Sequence, residues 1–109
     1  MGAQNTTTVD FGAFPGVSDA TVTVTGQASI LAGSLVEAFI YPTATADHSA
    51  DEHWVDPPRI MAGNVVAGTG FTIYCSAKPS DANPPAGSTL KNVDSPLVYG
   101  LWTIGWVWN

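Results

Sequence analysis

The chain has 109 residues, of which 45% are apolar and 11% are charged, so few charged side chains are left to cover its surface. The net charge of −6, with only three basic residues, argues against a nucleic acid as partner, because binding along phosphates requires a cationic surface. The apolar runs all fall short of the roughly 20 residues that a membrane-spanning helix needs, so we expect no membrane contact either.

The start of the chain is polar and rich in threonine. It predicts an N-terminal arm over residues 1–10, followed by a single domain over residues 11–109. Within that domain, apolar residues recur at every second position in several segments, and no long segment has the 3.6-residue period of a helix. The sequence therefore predicts an all-β fold, a small antiparallel β-sandwich or barrel of jelly-roll-like form.

Several segments show the strand pattern clearly. ATVTVTG (20–26) alternates Val with Thr, and LVEAFIY (35–41) is rich in the β-branched and aromatic residues that strands favour. FTIYCSA (71–77) places Phe71 and Cys75 on one face, so the single cysteine is expected to be a small buried side chain.

Clusters of glycine and proline separate these segments. They are FGAFPG (11–16), AGNVVAGTG (62–70) and KPSDANPPAGS (78–88). Glycine allows a positive φ and proline fixes a negative one, so these clusters predict turns and loops. The cluster over 78–88 has no residues to bury and predicts a long surface loop.

The stretch DHSADEHW (47–54) concentrates both histidines of the chain with several acids. Its side chains are of the types that bind zinc or another divalent ion. The spacing argues against such a site, because histidines five apart diverge by about 140° on a helix and point to opposite sides of a strand.

A structural interpretation fits the same stretch better. Ser49 and Glu52 have the spacing of a capping box, which predicts a short helical turn near residues 49–55 that ends before Pro57. An intersubunit polar contact or a bound ion is left open as an alternative. The chain has no nucleophile elbow, no phosphate-binding glycine loop and no cysteine with a histidine partner, so we predict no enzyme, no cofactor and no catalytic or metal residue.

The last segment, VYGLWTIGWVWN (98–109), is apolar on both faces. We expect the tryptophan face, with Ile104, to lie in the core, and the opposite face to contact a neighbouring subunit. Together with the acidic stretch, this segment supplies the predicted interface or ligand residues, which are Asp47, His48, Asp51, Glu52, His53, Trp54, Tyr99, Leu101 and Val107.

The succession VDFGAFPG, VTVTGQASI, VEAFIYPTATADHSADEHWVDP, GNVVAGTGFTIYC and YGLWTIGWVWN resembles a set of small tailed-phage virion proteins of about this length, from Val9 to Asn109. This resemblance implies a non-enzymatic virion structural protein on the capsid surface. We expect a decoration or cement protein that stabilises the shell, acting as a homotrimer with the major capsid protein as partner.

Gly70-Phe71-Thr72-Ile73 and Gly105-Trp106-Val107 also resemble parts of the H-type lectin domain, a trimeric β-sandwich. None of the sugar-binding residues of that family carries over to a numbered position here. The resemblance implies an alternative function, a glycan-binding receptor-recognition tip or head fibre. Trp54, Tyr41 and the loop over 78–88 would then be the contact candidates, because aromatic faces stack on sugar rings.

Overall fold

The computed structural model describes residues 2–77 and 97–109. They form two three-stranded antiparallel sheets, in the orders β1-β6-β3 and β2-β5-β4, which pack against one hydrophobic core. The strands are β1 (Ala3–Asp10), β2 (Asp19–Val24), β3 (Val36–Ile40), β4 (Arg59–Val66), β5 (Gly70–Ser76) and β6 (Leu101–Trp108), and α1 (Ala50–Val55) is a single short helix. The predicted all-β sandwich is confirmed.

The prediction of an N-terminal arm over residues 1–10 is wrong. Residues 3–10 form β1, which pairs with β6 along its whole length, from Ala3 opposite Trp108 to Asp10 opposite Leu101. Threonine is β-branched and suits a strand, and Val9 is fully buried in the core. The sandwich therefore includes this segment as an edge strand.

The prediction of a loop over residues 62–70 is also partly wrong. β4 continues to Val66, and only the three residues after it form the turn to β5. A β-bulge between Gly63 and Val66 interrupts the register, and Asn64 has a φ of 51°. A bulge adds one residue to the strand and breaks the alternation of inward and outward side chains, which is why the sequence pattern hid this strand.

The core lies between the two sheets and confirms the predicted inward faces. Phe71 and Cys75 of β5 are buried, as are all three tryptophans of β6. The rings of Phe71 and Trp106 meet edge to face at 5.4 Å and join the sheets. Burial raises the pKa of the Cys75 thiol to about 12, so this cysteine acts as a core side chain and is unreactive.

The predicted loop over residues 78–88 lies outside the described residues. Within the described part of the chain, no helix is long and apolar enough to cross a membrane.

Candidate functional site

The candidate site is built around the edge of β6 that β3 covers only in part. β3 pairs with β6 from Trp108 to Ile104 and then ends. One further backbone bond follows, from the Tyr41 N–H to the Thr103 carbonyl at 3.0 Å. The rest of the β6 edge would be an open row of N–H and C=O groups, which proteins normally cover or block.

Residues 43–53, called the edge seal below, cover this row, mainly with their side chains. The Thr103 N–H donates to His53 Nε2 at 2.9 Å, and the Leu101 N–H donates to Asp47 Oδ2 at 2.8 Å. The Thr45 hydroxyl donates to the Leu101 carbonyl at 2.8 Å. The edge seal thus supplies with side chains the hydrogen bonds that a neighbouring strand would supply with its backbone.

Helix α1 sets the direction of the side chains in the edge seal. The Ser49 hydroxyl accepts from the Glu52 N–H at 3.2 Å, and Glu52 Oε1 accepts from the Ser49 N–H at 3.0 Å, so the predicted capping box is confirmed. Asp56 caps the other end of the helix. Within this short helix, His53 points into the protein and is fully buried, while Trp54 points outward and is 77% exposed.

His48 is buried on the inner side of the edge seal. Its ring stacks on Trp102 with centroids 4.0 Å apart. Nε2 lies 2.6 Å from the Tyr99 carbonyl oxygen and Nδ1 lies 3.0 Å from Glu52 Oε2. Both ring nitrogens therefore face acceptors, and the protonated imidazolium satisfies both. The hydrogen bond to His48, with a second from the Ser49 backbone, lowers the pKa of the exposed Glu52 carboxyl.

His53 has the opposite arrangement. Its Nδ1 lies 2.7 Å from the Ser49 carbonyl oxygen and must donate, while its Nε2 accepts from the Thr103 N–H. Only the neutral ring with the proton on Nδ1 satisfies both contacts. The two histidine rings, 6.5 Å apart, thus need different protonation states.

The structure brings most of the predicted site residues together and separates three of them. Asp51 is exposed in the first turn of α1, Trp54 points to solvent, and Val107 lies at the far end of β6. The residues that meet at the edge seal are Asp47, His48, Glu52, His53, Tyr99 and Leu101. Within residues 2–77 and 97–109, no group of three histidine, cysteine or acidic residues is placed to hold a metal ion.

The sequence reasoning missed two residues of the edge seal, Thr43 and Thr45, and also Gly100, which packs against it. Thr43 accepts from the Thr103 hydroxyl with its carbonyl, and Thr45 bonds Leu101. Gly100 has a φ of 79°, and a Cβ added there would come within 2.7 Å of the Asp47 side chain. The spacing of Thr45 and Asp47 was the available signal, because side chains two residues apart point to the same side of an extended chain.

A second surface, the aromatic platform, consists of Phe39, Tyr41 and Val107 on the outer face of the same sheet. The Phe39 ring lies over Gly105, where an added Cβ would collide with it. Phe39 and Tyr41 are 42% and 47% exposed. Together with the start of β1, the platform lines an open groove of about 460 Å³.

The edge seal binds protein backbone with its histidines, whereas the aromatic platform leaves apolar surface in contact with solvent. Comparison of the chain with protein-family models, with curated proteins and with solved structures found no match.

Proposed function

We propose that the chain is a non-enzymatic structural protein of a phage virion, which decorates and cements the capsid as a homotrimer bound to the major capsid protein. The resemblance of its sequence to small virion proteins supports this function, as does the sparsely charged β-sandwich. The stabilisation it gives would grow with the area it buries between neighbouring capsid subunits.

The aromatic platform is the observation that carries the proposal. Phe39, Tyr41 and Val107 line one groove together, on a face that residues 2–77 and 97–109 leave open. Connected apolar patches of this kind mark association surfaces more often than single exposed residues do. A symmetric trimer would cover this face, and other exposed side chains, such as Phe14 and Leu35, would contact the shell.

The saturated edge seal supports a role without catalysis. His48 and His53 each use both ring nitrogens on partners within the chain, so neither presents a free base to a substrate. Cys75 is buried and its thiol has a raised pKa, so it is not available as a nucleophile.

Replacing Val107 by lysine tests the association surface. We expect Val107→Lys to give a folded monomer in place of a trimer, because a charge would be buried at the interface. The matched control is Met61→Lys, a change at an exposed apolar residue on the outer face of the other sheet, which should leave the trimer intact. Sedimentation velocity gives the masses, and an unchanged trimer for Val107→Lys would contradict the assignment.

Electron microscopy of the intact particle tests the function itself. A decoration protein occupies many equivalent positions across the capsid surface. Density confined to a vertex or to the tail would instead support an attachment protein, and absence from the particle would refute both.

Trp54 favours the second candidate, a glycan-binding tip or head fibre. Its ring is 77% exposed beside the exposed Val55, whereas most tryptophans in a small domain are buried. Sugar rings stack on such aromatic faces. Specific binding on a glycan array, lost in Trp54→Ala and retained in Tyr74→Ala on the other sheet, would favour this function over decoration.

A further inference from the structure

We propose that the edge seal is a pH-dependent closure, which holds residues 43–53 on β6 while His53 is neutral and releases them when His53 takes up a proton. Release would uncover the backbone edge of β6 at Leu101 and Thr103. This behaviour goes beyond the proposed structural function and does not depend on it.

The contacts of His53 make closure incompatible with its protonation. Nε2 has no room for a proton, because the Thr103 N–H already points at it from 2.9 Å. Nδ1 already carries the proton that it donates to Ser49. A second proton, on Nε2, would point directly at the Thr103 N–H, and the ring is fully buried. Proton uptake on Nε2 therefore requires the His53 ring to break its contact with the Thr103 N–H of β6.

The charged groups around His53 act in opposite directions, because His48 repels a positive charge there and the Glu52 carboxylate attracts one. His48, whose contacts need the imidazolium, lies 6.5 Å away and repels a second positive charge. Glu52 is paired with His48 at 3.0 Å, and Asp47 is committed to the Leu101 N–H. Among residues 2–77 and 97–109, the other titratable groups of this region are Asp51 on α1, Asp56 at its C-cap, and Tyr99, whose carbonyl and ring both contact His48.

The sign of the pH dependence follows from proton counting. The open state binds one proton more than the closed state, at His53, so acidification favours opening. A process linked to one proton changes its equilibrium constant by up to about tenfold per pH unit.

Opening would expose a short row of strand-forming groups. Leu101 and Thr103 are two residues apart and direct their backbone groups toward the same side of β6. Such a row can accept an added strand from another chain. The edge seal would thus control access to a strand-addition site.

The test is nuclear magnetic resonance of the full chain between pH 8 and pH 5. Nitrogen shifts give the protonation state of each histidine, and amide exchange, expressed relative to an unstructured peptide at the same pH, gives the protection of Leu101 and Thr103. We expect His53 to be neutral with its proton on Nδ1 while both amides are protected. Their protection should fall by up to about tenfold per pH unit as His53 gains its second proton.

Two variants separate the histidines. His53→Gln can accept the Thr103 N–H and does not titrate, so the protection of Thr103 should no longer depend on pH. His48→Gln is the matched control and should keep the acid dependence. A protonated His53 beside a protected Thr103 amide would overturn the proposal in the unmodified protein, whether or not the variants fold. The same pH dependence in folded His53→Gln would also overturn it.

Discussion

At the N-terminal end of β6, Leu101 and Thr103 are covered by polar side chains with complete hydrogen bonds, whereas at its C-terminal end Val107 borders an open apolar groove. The first region holds the histidines and acids that resemble an active site. The aromatic platform of the second consists of two aromatic side chains and a valine, with Glu37 on β3 opposite Val107. A cluster of reactive residue types therefore stabilises the fold here, and the chemically plain region is the one available to a partner.

The difference arises from the lengths of the strands. β3 ends at Ile40 and leaves the first residues of β6 without a neighbour. Backbone groups left unpaired inside a protein cost more free energy than most side-chain contacts return, so this end requires polar partners. At the other end the ladder is complete, and the side chains on the outer face are free to serve association.

The largest expected effect is that of His53→Ala. It removes the acceptor for the Thr103 N–H and the donor to Ser49, and it leaves a cavity, so we expect a loss of about 3 kcal/mol in the free energy of unfolding. Val107→Ala, at the other end of β6, should cost about 1 kcal/mol or less in the monomer. Urea unfolding of dilute protein measures both. Equal losses in the free energy of unfolding for the two variants would show that the two ends of β6 do not differ in this way.

Gly100→Ala should have an intermediate effect. A side chain at a φ of 79° is strained, and the new Cβ would also collide with Asp47 and disturb its bond to Leu101. We expect a loss of about 2 kcal/mol from the two causes together. Gly12→Ala is the matched control, because its φ is 91° and no atom lies within 4 Å of the new Cβ, so it should lose only about 1 kcal/mol. If thermal unfolding gives equal losses for the two variants, the Asp47 contact contributes nothing.

Local patterns in the sequence were enough to predict some features of these two regions. The alternation in β6 predicted that its tryptophans are buried, and the spacing of Ser49 and Glu52 predicted the helix cap. The partners of the histidines were not predictable in this way, because His53 and Thr103 are 50 residues apart in the chain. Their contact depends on where β3 ends relative to β6, which is a property of the assembled sheet.

Two predicted elements, the arm over residues 1–10 and the loop over residues 62–70, failed for local reasons. β1 is polar and threonine-rich, and its inward face is only partly apolar, so its pattern resembles that of a flexible segment. β4 contains Gly63 and runs into the glycine cluster over residues 62–70, and this cluster indicated a turn. In both cases pairing with a neighbouring strand stabilises a segment whose own pattern is weak.

The smallest effect is expected at Glu52, on the exposed side of the edge seal. Its pKa is lowered in the folded protein by the hydrogen bond to His48, so the unfolded chain binds more protons near the ordinary carboxyl value of 4.5. The contribution of the ionised Glu52 to the free energy of unfolding is therefore fully present above pH 4.5. It is lost as the pH falls through the lowered pKa. Glu52→Gln should flatten this acid limb of the stability curve, while Asp51→Asn, on the same turn of α1, should change it less. Because the carboxylate is exposed, salt should reduce the effect, and an acid limb that is identical in Glu52→Gln would show that the pair with His48 does not stabilise the edge seal.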